Sequence, residues 1–461
     1  MFYTHMSVHP PLKQVRFSSL NIGKFLMHTV TSLILISLSL QIQAQAFIKH
    51  TVDTSYGGGF IYATDIDGVN NGDILSADFG GNTASLWKNN GSQYFTKYPV
   101  TGFINGPNCI QSEDINNDGE IDVLTTSRWD KDLIWWENDG FENFTKHIID
   151  GNLDHAASVF PAKINNDSDM DVIAVGADDL SWYENDGNGN FTKHSIDDTN
   201  STTESVFAAD LDGDGDSDVL AGTWNFGILW YENDGNGNFT KDTIDATYGG
   251  TKSIHATDID GDNDIDVVSG QSNFQGTLKW WENDGTGNFT AHIIDTTSFP
   301  ASIFALDLDN DNDTDVLVSA SFEIVWWEND GSENFTKHRI DSSSWGAFFT
   351  IYPIDIEGDM DIDIVASGEN KIIGYENVIT VPVSNVETKN DVQVFPNPTN
   401  DFLFIKGIEH AEVVIFDNLG RAVKTELYTG LGINISKLPN GIYFLQLKAG
   451  NRLFIEKMIK G

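Results

Sequence analysis

Apolar and polar positions alternate in short runs along most of the chain, the pattern of half-buried strands. A unit opens with a short apolar run such as "SVFAA", passes through an acidic loop such as "DLDGDGDSD", and leaves it through a second run such as "DVLTTS" or "DVVSG". An aromatic run follows, written "LIWWENDG", "LSWYENDG" or "LKWWENDG", and then "NFTKHIID" or a close variant. Gly-bearing hairpins such as "ENDGNGNF" join the last two. The unit recurs with its loop at Asp65, Asp114, Lys163, Asp210, Asp258, Asp307 and Asp355, at spacings of 49, 49, 47, 48, 49 and 48 residues. Near the C-terminus the pattern changes. "VQVFPNPTNDFLFIKG", "EVVIFDNLGRAVKT", "INISKLPNGIYFLQLK" and "FIEKMIKG" are short alternating strands parted by Asn, Gly and Pro turns, which predicts a small antiparallel sandwich.

A four-stranded antiparallel sheet repeated at this period predicts the blades of a propeller, and seven copies predict seven blades. The ends of the array agree. The seventh copy stops at "IIGYENVIT" without an "NFTKHxID" strand, while "FIKHTVD" at 47–53 matches the missing one. The expected fold is therefore all-β: a seven-bladed β-propeller whose N-terminal strand closes the last blade and hides its edge, followed by a small C-terminal β-sandwich.

Carboxylates crowded at loop positions 1, 3, 5 and 9 repel one another unless a cation sits between them. Small residues in between let oxygens converge on a hard ion such as calcium. An EF-hand starts alike, but it needs Glu at position 12 and flanking helices, whereas Ala221 and the strand "VLAG" occupy that place. Four loops are acidic at all four positions: Asp210, Asp212, Asp214, Asp218; Asp258, Asp260, Asp262, Asp266; Asp307, Asp309, Asp311, Asp315; and Asp355, Glu357, Asp359, Asp363. A fifth offers Asp114, Asn116, Asp118 and Asp122. Two loops are degenerate: Val69 leaves Asp65, Asp67 and Asp73 in the first, and Lys163 replaces the first ligand of the third. Calcium at about five sites is the expectation.

The aromatic stripe of Trp87, Trp136, Tyr183, Tyr231, Trp281, Trp327 and Tyr375 is expected to pack the core, since both faces of a blade meet neighbouring blades. The recurrent His50, His147, His194, His292 and His338 share one strand position and read as structural. The "NFT" sites at Asn143, Asn190, Asn238, Asn288 and Asn334 read as turn residues that start a strand.

Charge narrows the partners. With 26 basic against 69 acidic residues, the chain carries a formal charge of -43 and is unsuited to nucleic acid or anionic membranes. Cys109 stands alone, so no internal disulfide is available. Lys13, Arg16 and Lys24, then "SLILISLSL" and the small-residue "AQA", predict a secretory signal peptide over 1–46 and no transmembrane segment in the mature chain.

The "DxDGDGxxD" loops, W-x-x-N-x-G hairpins and signal peptide together resemble the FG-GAP/VCBS repeat family, known from integrin α-subunit propellers and secreted bacterial proteins, over residues 47–379. The resemblance implies calcium in the loop between the first and second strands of a blade. After a linker at 380–391, residues 392–461 resemble the type A C-terminal sorting domain of type IX secretion, found in the Bacteroidota. "FPNPTND", "DNLGR" and "LPNGIYFLQL" carry this resemblance. It implies the type IX machinery as a partner, export across the outer membrane, and release or attachment at the cell surface.

Fold alone does not fix function. One reading is a calcium-stabilised module that recognises a glycan or a protein. Its ligand would meet the face opposite the acidic loops, where the repeats diverge and Trp129, Trp224, Phe226, Tyr248, Phe274 and Trp345 are expected at the solvent side. The alternative is a polysaccharide lyase or hydrolase, which would need a non-repeated acid and base such as His155 or His255 with a carboxylate and Arg128. A purely architectural role in a surface assembly is a third.

Overall fold

The computed structural model describes residues 46–378 and 393–460, apart from 70, 92, 93, 200–202, 343–347, 360, 369, 400, 407–410, 417–421, 431, 450 and 451. The expected linker and all of the expected signal peptide but Ala46, which begins the first strand, lie outside the described residues. Strands and no helices occur among the described residues. These fall into two compact units, one within 45–379 and the other within 380–461.

The first unit holds seven four-stranded antiparallel sheets. In the fourth, Thr203–Ala209 pairs with Asp218–Thr223, then Ile228–Asn233, then Phe239–Asp245, so chain order and spatial order agree. The seventh sheet consists of Phe348–Ile354, Asp363–Gly368, Lys371–Val378 and, as its outer strand, Ala46–Asp53. Phe47 lies opposite Asn377 and His50 opposite Gly374, so the N-terminal strand fills the place left by the missing "FTKH" strand.

Each apolar core lies between two adjacent blades. Trp182 and Ile173 of blade 3 pack with Tyr231 and Val219 of blade 4. The same arrangement continues around the ring to Tyr56, Ile61 and Trp87 of blade 1, which pack with Val365 and Ile372 of blade 7. The paired aromatics explain this. Neighbouring strand residues point to opposite sheet faces, so Trp135 and Trp136, both buried, fall into two different inter-blade cores.

Polar staples reinforce the ring. In every blade the aspartate at loop position 9 is fully buried, and one of its oxygens accepts the N–H of the third-strand asparagine at 2.7–2.8 Å. Its other oxygen accepts the N–H of the residue after loop position 1 at 2.8–3.3 Å. The same asparagine side chain donates to a loop carbonyl of the preceding blade in six blades, for example Asn185 to Ile115 at 2.7 Å. Asn89 donates to the Ile356 carbonyl at 2.7 Å and so bonds blade 1 to blade 7.

The inner strands surround an axial cavity of about 370 Å³. Three residues before each loop, one side chain per blade forms a collar: Tyr62, Gln111, Phe160, Phe207, His255, Phe304 and Tyr352. Successive rings from Phe160 through His255 and Tyr352 to Tyr62 touch at centroid distances of 4.5–5.3 Å.

In the second unit, Gln393–Phe395, Phe402–Lys406 and Ile433–Asn434 form one sheet. Ala422–Tyr428, Ala411–Phe416, Gly441–Ala449 and Arg452–Lys460 form the other. Leu403, Ile415, Leu445 and Met458 are fully buried in their common core, the predicted sandwich.

Candidate functional site

The acidic loops join the first and second strands of each blade. Their tight course requires left-handed backbone at position 4, taken by Gly213 (φ 74°), Gly261 (φ 83°) and Asn310 (φ 62°), and again at position 6, taken by Gly215, Asn263 and Asn312. That turn aims amide groups at the first aspartate. Asp210 accepts from Gly213 at 2.9 Å and Gly215 at 3.0 Å, and Asp258 from Gly261 at 2.7 Å and Asn263 at 3.0 Å.

Carboxylate oxygens of Asp210, Asp212 and Asp214 lie within 4.8 Å of one another, as do those of Asp258, Asp260 and Asp262 and those of Asp307, Asp309 and Asp311. Burial and the charges of Asp311 and Glu328 push the Asp309 carboxyl up to about 6. Burial likewise raises Asp212 and Asp260. A hard divalent cation, which takes about 6–8 oxygen ligands, fits such a cluster and would neutralise it. Asp218, Asp266 and Asp315 sit at the base of these loops, where they also hold the two backbone amides already described.

In the second loop Asp114 accepts from Asp118 at 3.2 Å and Gly119 at 2.9 Å, which reproduces the same turn around Asn116 and Asp122. In the seventh, Asp355 accepts from Gly358 at 2.6 Å. Burial and Glu357 together hold the Asp363 carboxyl well above its ordinary range, while Glu357 and Asp359 face the same loop.

The degenerate loops differ from each other. In the third, neither Asn166 nor Ser168 takes the left-handed backbone of the other loops, and Lys163 is exposed at its edge. In the first, Asp65, Asp67 and Asp73 do converge, but a lysine reaches them. Glu137, Glu184, Glu232, Glu282, Glu328 and Glu376 occupy one third-strand position in the other blades, and blade 1 has Lys88 there. Its ammonium is 3.1 Å from Asp67 and also pairs with Glu142 of the next blade. The signal was present in the sequence as "WKNNG" in place of "WWENDG".

The glutamates serve a second purpose. His147, His194 and His292 each bond to one through Nε2 at 2.8 Å, and each imidazole stacks on a tryptophan at 4.4–4.6 Å. The NFT asparagines cap their hairpins, Asn190 donating to Asp186 at 2.9 Å.

The opposite face carries the loops between second and third strands and those between blades. Trp129, Trp224, Phe226 and Phe274 are exposed there, at 54%, 45%, 48% and 73%. Trp129 rests on Gly106, where any Cβ would collide with the indole, so that ring is held in place. Tyr248 is a correction: it is buried, its hydroxyl donating to the Ser269 carbonyl at 2.9 Å and its ring packing edge-on against Trp281. Trp345 lies outside the described residues. Exposed Phe79, Phe103, Phe299 and Phe322 in the same set of loops were missed. Phe79 neighbours Trp129 at 6.3 Å and Phe299 neighbours Phe274 at 6.4 Å.

Of the residues considered for acid–base chemistry, His155 pairs with Asp154 at 3.1 Å beside Trp129, and Asp154 also meets Lys131 at 3.0 Å, all on the open surface. Arg128 lies over Trp129. His255 belongs to the axial collar, on the first strand of a different blade from these groups, and burial lowers its pKa to about 4.

Fold and loops together define a seven-bladed β-propeller built from acidic-loop repeats. The chain carries FG-GAP-like repeats and a C-terminal sorting domain of the type IX secretion system. Residues 114–174, 163–221 and 258–318 match the FG-GAP-like repeat, and residues 393–461 match the secretion system C-terminal sorting domain. No curated protein matches the chain. Among solved structures, BBS1N in complex with ARL6DN is 11% identical, covering 73% of this chain and 98% of its own, with a TM-score of 0.50. A lectin of Agrocybe aegerita described for recognition of non-reducing terminal N-acetylglucosamine is 21% identical, covering 65% and 81%, with a TM-score of 0.46. PorZ of Porphyromonas gingivalis, described as a surface component of the type IX secretion system, is 13% identical, covering 84% of this chain and 58% of its own, with a TM-score of 0.46. At these identities the likeness is one of fold. No helix among the described residues is long and apolar enough to cross a membrane.

Proposed function

We propose that the protein is a calcium-stabilised recognition module, exported by type IX secretion to the cell surface or the medium of a bacterium of the Bacteroidota, that binds a glycan or protein ligand through the face opposite its acidic loops. The observation that carries this reading is the division of labour between the two faces. One side repeats converging carboxylates, loop after loop. The other side varies from blade to blade and exposes Trp129, Trp224, Phe226 and Phe274. Side chains of this kind, large and rigid, contribute most to recognition when held by a firm scaffold. Calcium fits the loops because it accepts many oxygens in flexible geometry, whereas magnesium demands a tighter octahedron. The five loops beginning at Asp114, Asp210, Asp258, Asp307 and Asp355 are the binding set. Lys88 neutralises the first loop, and the third lacks its first ligand.

Glycan and protein arrays probed with the full mature chain, with and without calcium, test the reading. Specific binding that chelation weakens and Trp224→Ala or Phe274→Ala reduces is the expected result. Binding to nothing on either array, or turnover of an acidic polysaccharide, would overturn it.

A further inference from the structure

The axial cavity is a site that no repeat consensus calls for. Its floor is the collar, and none of the residues beyond the collar toward the acidic loops lines it. Two residues further from the loops, Ser158, Ser205, Ser253, Ser302 and Thr350 line it from five different blades. Three of their hydroxyls bridge blades: Ser253 accepts the Ile303 N–H at 3.0 Å, Ser302 donates to the Ile351 carbonyl at 3.4 Å, and Thr350 accepts the Ile61 N–H at 3.0 Å. At the mouth, on the face opposite the acidic loops, stand Glu204 and Lys252, both exposed. Neither has an ion-pair partner among the described residues.

Polar side chains around an axis above a floor of aromatic rings suit one kind of molecule. A pyranose ring lying across the axis sends its own hydroxyls outward in every direction and offers an apolar face above and below. The Ser205 hydroxyl can donate or accept as a sugar hydroxyl requires, and that of Ser253, which accepts one N–H, can still donate. The ring faces and edges of Phe207, Phe304 and Tyr352 supply the apolar contact beneath. His255 takes the Ala305 N–H on Nδ1 at 3.4 Å, which leaves Nε2 as its N–H donor. A cavity of about 370 Å³ that is open at one end admits one sugar residue while the rest of a chain leaves past Glu204 and Lys252. A carboxylate at that mouth can accept from two adjacent sugar hydroxyls.

We propose that the axial cavity binds the terminal sugar residue of a glycan, with Ser205, Ser253 and the collar holding the pyranose and Glu204 at the entrance. This rests on the recognition reading above for the choice of a glycan, but it moves the specificity-determining contacts from the loop aromatics to the axis.

The test uses the full mature chain in calcium, titrated by calorimetry and saturation-transfer NMR. The probes are the methyl glycosides of glucose, galactose, mannose, N-acetylglucosamine and glucuronic acid. At least one should bind. Ser205→Phe, which fills the cavity from its wall, should weaken it at least about tenfold, a loss readily resolved in Kd. Glu204→Gln, an exposed and structurally harmless change, should weaken it measurably, while Phe141→Ala, on an exposed hairpin at the acidic-loop face, leaves it unchanged. If Ser205→Phe does not fold, Glu204→Gln together with Lys252→Gln decides the matter. Binding that survives the cavity variants but is lost in Trp224→Ala overturns the axial site and leaves the recognition face standing. Failure of all five glycosides to bind, while the arrays register a protein ligand, overturns the axial site alone. Silence on arrays and glycosides alike overturns both.

Discussion

Asp171 separates the architectural role of the position-9 aspartates from any role in holding metal, because its loop begins with Lys163 instead of an acid. Its carboxylate is fully buried and accepts the N–H of Asn185 at 2.8 Å and of Ile164 at 3.2 Å. Asp171→Ala strands two buried amides at about 1–3 kcal/mol each, or about 4 kcal/mol in all. Some of that is offset. Burial pushes the Asp171 carboxyl up to about 6, a cost to the ionised form of roughly 2–3 kcal/mol at neutral pH that the variant no longer bears. The net expectation is a destabilisation of about 2 kcal/mol, or a fall of roughly 4 °C in melting temperature for a domain of this size. Scanning calorimetry on the parent and on Asp171→Ala, each with and without calcium, should show the same deficit in both buffers. Asp212→Ala, which alters a loop with all its acids, should show a deficit chiefly in calcium. The reasoning fails if Asp171→Ala melts with the parent, or if its deficit exists only when calcium is present.

Lys88→Glu replaces the ammonium beside Asp67 with a further carboxylate and should destabilise the calcium-free protein by about 1–3 kcal/mol in denaturant melts; an unchanged midpoint would mean that Lys88 does not neutralise the first loop. Deleting residues 47–53 strips the outer strand from the last blade and leaves Lys371–Val378 as a bare edge, so the truncated protein should self-associate on size-exclusion chromatography, and a stable monomer would contradict ring closure by that strand. Burial raises Asp73 and Asp266 to about 7 and Asp315 to about 8, so the calcium-free fold holds protons there that the unfolded chain gives up near pH 4. That contribution is complete below the unfolded value and is lost as pH rises through 7 to 8, so the calcium-free melting temperature should decline from pH 5 to 8, and a rise across that window would refute the sign.

The blades were legible because each repeats one alternation of apolar and polar positions, and the missing strand at the end of the array matched the one at its start. The acidic loops were legible for the same reason. What stayed hidden depends on neighbours that meet only in the closed ring. The asparagine of "WWEN" reads as a turn residue, yet Asn233 Nδ2 bonds the Ile164 carbonyl of the preceding blade at 2.7 Å. The collar residues sit inside short apolar runs such as "SVFAA", where nothing separates a side chain facing the axis from one facing the core. Tyr248 lies in a loop between blades and was expected at the solvent side, but it is buried with its ring edge-on against Trp281. The "YGG" that begins at both Tyr56 and Tyr248 was the available signal, and Tyr56 is buried in the same manner, its hydroxyl donating to the Ala77 carbonyl at 3.0 Å.

Counting bound metal tests the central claim most directly. Extracellular calcium modules bind at about 10⁻⁴–10⁻³ M, and a site held at ~100 times its Kd adds about 2.7 kcal/mol to folding stability. Equilibrium dialysis against calcium raised to about 10 mM, at least ~10 times such a Kd, followed by elemental analysis, should find five ions per chain, one in each loop beginning at Asp114, Asp210, Asp258, Asp307 and Asp355, with a melting temperature that chelation lowers and calcium restores far better than magnesium. No bound calcium, or seven equivalent ions including one beside Lys163, would contradict the account.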